Sequence, residues 1–111
     1  MDLFAAANTV YALCRACVTD AAPWRAATDA LAQAVAACDD PTAIEKLLRE
    51  DQEDDLPIPL KSAAFERRLA LGPRTAELLR AYAQHLWLHG PAQDELVAVL
   101  RDQADEIDKS G

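Results

Sequence analysis

Gly72-Pro73-Arg74-Thr75-Ala76-Glu77-Leu78 recurs 18 residues later as Gly90-Pro91-Ala92-Gln93-Asp94-Glu95-Leu96. The shared pattern is G-P-x-x-x-E-L. Glycine tolerates the left-handed conformation that closes a helix. Proline suits the first turn of the next helix, where its missing N–H goes unneeded. A glutamate soon after meets the positive end of the helix dipole. Each copy therefore predicts a helix stop followed at once by a helix start, with the new helices beginning at Pro73 and Pro91. One helix of about four turns fits between the two glycines, and another follows, as a helical hairpin with a very short turn.

The rest of the chain carries the same signature. Its 111 residues are 51% hydrophobic but only 5% aromatic, and alanine supplies much of the apolar fraction. Alanine-rich, glycine-poor sequence favours helix, and no alternating run of Val, Ile, Thr or Tyr reads as a strand. The expected fold is all-α: five to six antiparallel helices with short turns, as a compact bundle or stacked helical hairpins. A single domain over 1–111 is expected, with a helical half at 1–49, an acidic and proline-bearing linker at 50–61 and a second helical half at 62–109.

Leu3, Ala7, Val10, Cys14 and Cys17 step by three and four, which predicts a first helix over 2–19 with both cysteines on its core face. Trp24, Ala27, Leu31, Val35 and Cys38 do the same for a second helix over 24–38. Asp40 and Pro41 mark the start of a third as N-cap and first residue, with Ile44, Leu47 and Leu48 inward. Glu50, Asp51, Glu53, Asp54 and Asp55 then bring five negative charges close together. Leu56-Pro57-Ile58-Pro59-Leu60 follows, and its two prolines predict an extended, polyproline-like path. That path is too apolar for solvent and should lie against the helices. Ser62 is the expected N-cap of a short fourth helix, with Phe65 and Leu69 inward and Arg67 and Arg68 outward. Leu78, Leu79, Tyr82 and Leu86 line the fifth helix. Leu96, Leu100, Ala104 and Ile107, widened by Val97, line the sixth.

The net charge of −8 argues against nucleic acid or an anionic membrane as partner, since both select clustered positive charge. The chain begins Met1-Asp2 without a positive n-region, so no signal peptide is expected, and no apolar run has the length of a membrane span. Three cysteines do not suggest a secreted disulfide framework, which leaves the cytoplasm as the expected location.

Several groupings bear on chemistry. Cys14-Arg15-Ala16-Cys17 is a C-x-x-C, a spacing used by dithiols and by half of many metal sites. On a helix it resembles the all-helical alkylhydroperoxidase-D-like proteins, which implies thiol redox chemistry. The histidine that this family places soon after the second cysteine is missing, because Val18, Thr19, Asp20 and Ala21 follow. Core packing is the competing reading, since buried cysteine behaves as a small hydrophobe. His85 and His89, at i and i+4, have a spacing that can share a metal, but no H-E-x-x-H is present and no metal or other cofactor is expected. Asp51, Glu53 and Asp55 alternate as in a calcium loop but lack its glycine and distal glutamate, so a solvated charge run is expected. Lys61, Arg67, Arg68, Arg74 and Arg80 form the one basic zone, read as paired or solvated in preference to an anion site. No catalytic motif is found.

Tyr82, Leu86, Trp87 and Leu88 cover more of the fifth helix than one buried face needs. Either that helix is central, or one side meets a partner, with Tyr82, Leu86 and Trp87 as its contacts. The last two helices resemble a tetratricopeptide-type hairpin, with Tyr82 in the first helix and Gly90 at the turn. The small residue which that family sets early in the second helix is displaced. The length equally suits a six-helix death-domain-like bundle. The expected function is a non-enzymatic interaction or regulatory module binding another protein or itself. The alternatives are a thiol-redox or metal protein built on Cys14 and Cys17, and an acidic inhibitor or immunity-type protein that masks a basic partner.

Overall fold

The computed structural model describes residues 2–51, 56–89 and 94–110. The chain is all-α, and no strand occurs among the described residues. Among the described residues six helices follow in order: α1 Leu3–Arg15, α2 Ala21–Ala37, α3 Pro41–Glu50, α4 Ile58–Leu71, α5 Ala76–His89 and α6 Asp94–Ser110. They fall into two compact units, Met1–Leu71 and Gly72–Gly111. The division comes at the first G-P-x-x-x-E-L copy, and the helices on either side of residues 50–61 pack on each other within the first unit.

In the first unit α1 packs on α2, α2 and α3 on α4, and α1 touches α3. The core joins Leu3, Ala6, Ala7 and Val10 of α1 to Ala27, Leu31 and Val35 of α2, Ile44 and Leu47 of α3, Leu56, and Leu60 and Ala64 of α4. Alanines at the contact let helix backbones approach closely, while Leu31, Ile44 and Leu47 are among the largest fully buried side chains.

The first helix is shorter than its apolar stripe suggests. It ends at Arg15, Cys17 lies beyond it with φ 54°, and the buried stripe stops at Val10. Cys14 is only half-buried and Cys17 is exposed, so the two cysteines do not share a core face. The second helix starts earlier than expected, at Ala21, with Pro23 in its first turn, where backbone N–H groups lack helical partners anyway. Trp24 and Cys38 pack at the margin of the core. The start of α3 is as the sequence indicates: the Thr42 N–H donates to Asp40 Oδ1 at 3.0 Å and Pro41 occupies N1.

The proline stretch departs most from expectation. Its extended path gives way at Pro57, whose carbonyl accepts from the N–H groups of Leu60 and Lys61, both at 3.0 Å. Pro57 thus precedes α4 as its cap, five residues ahead of the Ser62 cap that the sequence suggests, and the helix itself begins at Ile58. Pro59 falls at N2, where its missing N–H is again tolerated. Leu56 and Leu60 are buried, as their hydrophobicity demands, and Ile58 is exposed. Arg68, expected outward, is buried on the same face as Leu60 and Ala64.

In the second unit α5 packs against α6. Gly72 has φ +60°, the left-handed conformation expected after a helix end. The next helix does not begin at Pro73. Thr75 is its cap: the Leu78 N–H donates to Thr75 Oγ1 and the Leu79 N–H to the Thr75 carbonyl, both at 3.1 Å. A threonine side chain offers the acceptor that a Gly-Pro start lacks. Glu77 lies in the first turn, as read. The second junction, residues 90–93, lies outside the described residues. In α6 the buried row is Val97, Leu100 and Ala104, while Leu96 is exposed and Ile107 half-buried.

Candidate functional sites

The interaction residues read from sequence separate by depth. Tyr82 and Leu86 are buried, and Trp87 is 56% exposed. Leu88 beside it is also 56% exposed, which closes α5 with two large apolar side chains in solvent. Leu96 and Val99 are exposed on α6 at 39% and 49%. Burial would stabilise each of these apolar groups, and all four are left in solvent. Leu88 belongs to the apolar excess read from sequence; the sequence pattern puts Leu96 inward and does not single out Val99, because a helical stripe fixes which residues align, and packing alone fixes which way the row faces.

His85 is buried and His89 exposed, with ring centroids 5.3 Å apart and planes tilted by 53°. Among the described residues no three His, Cys, Asp or Glu side chains converge to hold a metal ion. Glu53 and Asp55, two members of the calcium-like alternation, lie outside the described residues. The third member, Asp51, is not solvated. Its side chain is fully buried, Oδ1 accepts from the Leu56 N–H at 3.2 Å, and Oδ2 meets the Lys61 ammonium at 3.2 Å as an ion contact outside hydrogen-bond geometry. Asp51 and Lys61 thus clamp the two ends of the acidic and proline stretch.

The basic zone is engaged throughout. Arg67 donates through Nε to the Cys38 carbonyl at 2.9 Å and through Nη2 to Asp39 Oδ1 at 3.0 Å. Arg68 pairs with Glu45 at 2.6 Å, and Arg74 donates to Gln103 Oε1 at 3.2 Å. Arg80 bridges Asp105 and Asp108, and its hydrogen bonds, first to Asp108 and then to Asp105, hold its pKa above the ordinary arginine value. Each of these cations has a partner, but the pairing with the acidic run that the sequence suggests is seen, among the described residues, at Lys61 with Asp51, while the arginines take partners outside that run.

A shallow, open depression between α2 and α4 is lined by Ala32, Val35, Ala36, Ala63, Glu66 and Arg67. Those side chains offer no nucleophile, and Arg67 is already bonded to Cys38 and Asp39. No helix among the described residues is long and apolar enough to cross a membrane. Comparison with protein-family models, with curated proteins and with solved structures finds no match to this chain.

Proposed function

We propose that this chain is a small cytoplasmic helical module that works by binding another protein or a second copy of itself, without catalysis, and that its contact surface centres on the end of α5. The observation that supports this reading is the exposure of Trp87 and Leu88 side by side at that end. Tryptophan is enriched among residues that dominate binding energy, because it buries a large rigid surface at small entropic cost. Tyr82 and Leu86 belong to the same helix and act from beneath the surface, by fixing the helix that presents Trp87. The overall negative charge points the module away from nucleic acid and anionic membranes.

The test compares the parent chain with Trp87→Ala and Leu88→Ala, and with Ile58→Ala as a control at an exposed apolar residue elsewhere. Sedimentation velocity over a concentration series reads self-association, and affinity recovery from the native host reads other partners. Loss of either property at residues 87 and 88, with helicity and the Ile58 control unchanged, supports the surface. Trp87→Ala behaving as the parent in both measurements would remove it.

A further inference from the structure

The turn that ends α1 holds two cysteines in a distinctive arrangement. The Val18 N–H donates to the Leu13 carbonyl and the Cys17 N–H to the Cys14 carbonyl, each at 3.1 Å. This nested pair is a Schellman motif, and Cys17 occupies the left-handed position that glycine usually fills, with φ 54°. Cys14 lies in the last helical turn, half-buried, and Cys17 is exposed. A turn closed between residues i and i+3 brings their Cα atoms within about 7 Å. Disulfides span Cα separations of roughly 4.4–6.8 Å. The third cysteine, Cys38, is half-buried at the end of α2, where its thiol donates to the Asp40 carbonyl at 3.5 Å.

We propose that Cys14 and Cys17 form a reversible dithiol–disulfide pair, oxidised by small-molecule disulfides, that locks the turn between α1 and α2. The exposed Cys17 thiolate attacks one sulfur of the small disulfide, and the S–S bond breaks to release one thiol. Cys14, as thiolate, then attacks the Cys17 sulfur, closes the intramolecular bond and expels the second thiol. The protein loses two electrons and two thiol protons, and the small disulfide is reduced to two thiols. The lock reaches α2 because the Trp24 indole N–H donates at 2.6 Å to the carbonyl of Val18, the residue after Cys17. This proposal stands apart from the Trp87 surface.

The experiment equilibrates the unaltered protein in native buffer with oxidised glutathione, quenches in acid, and reads intact mass and peptide linkage. The expected product has lost two hydrogens, contains only a Cys14–Cys17 link, carries no lasting glutathione, and reverts with dithiothreitol. Cys14→Ser should instead retain glutathione on Cys17, because the resolving thiol is gone. An unaltered protein that stays reduced, keeps the adduct on Cys17, or yields links to Cys38 would overturn the pair. In a Trp87→Phe background, oxidation should shift Trp24 emission; unchanged emission would overturn the locking of the turn.

Discussion

Arg68 of α4 and Glu45 of α3 form an ion pair that is buried on one side only. Both Nε and Nη2 of Arg68 meet the same oxygen, Glu45 Oε1, at 2.7 Å and 2.6 Å. The arginine side chain is 4% exposed and the glutamate 31%, and Arg68 Nη1 is buried with no hydrogen-bond partner among the described residues. The two deletions should therefore differ. Glu45→Ala strands a buried guanidinium and is expected to cost about 2–3 kcal/mol. Arg68→Met leaves a carboxylate that can turn to water and should cost about 1 kcal/mol or less, since the apolar stem is replaced. Urea denaturation checks this, and equal costs would contradict the one-sided burial.

Asp51 and Lys61 invert that asymmetry. Here the acid is the fully buried partner and the lysine side chain keeps 13% exposure. Lys61→Met leaves a buried carboxylate without its cation and should destabilise by about 3 kcal/mol. Asp51→Asn keeps an acceptor for the Leu56 N–H and should cost about 1 kcal/mol. The same denaturation measurement ranks the two, and a larger loss for Asp51→Asn would show that the ion contact contributes little.

Two left-handed positions make opposite predictions. Gly72 has φ +60°, and a Cβ built there would meet nothing within 4 Å. Gly72→Ala should therefore cost only the backbone strain, about 1 kcal/mol. Cys17 already carries that strain, so Cys17→Gly should stabilise by roughly 0.5–1 kcal/mol. Thermal or chemical denaturation under reducing conditions reads both signs.

Leu31 and Ile58 separate core from surface in the first unit. Leu31 is fully buried, and Leu31→Ala is expected to cost about 3–4 kcal/mol. Ile58 is 46% exposed at the first position of α4, and Ile58→Ala should stay within about 0.5 kcal/mol of the parent. A comparable loss at both would mean that Ile58 is covered in solution.

Local physics was enough for much of the helical plan. The rows Leu31–Val35 and Ile44–Leu47, the Asp40 cap and the left-handed Gly72 each rest on a few neighbouring residues, so they were legible in the sequence. The start of α4 was not, because Pro57 and Pro59 read equally well as an extended segment and as the N-terminus of a helix. Placing the start at Ser62 cut Leu60 from its helix and hid the row Leu60, Ala64, Arg68, which would have shown Arg68 facing inward. The left-handed turn at Cys17 had no signal in the sequence, since glycine is the residue that announces a left-handed helix end.

By itself, then, the sequence determined that this protein is helical and where several of its helices begin and end. Periodicity, caps and helix-ending glycines act over one or two turns, and those distances are contained in any short stretch of chain. Tertiary structure decided which way each row faces: Val97 in and Leu96 out, Tyr82 and Leu86 in and Trp87 out, Arg68 in against Glu45, Cys17 free of the core. Those choices turn on contacts between residues far apart in sequence, where a buried area or a paired charge outweighs the local preference of a single helix.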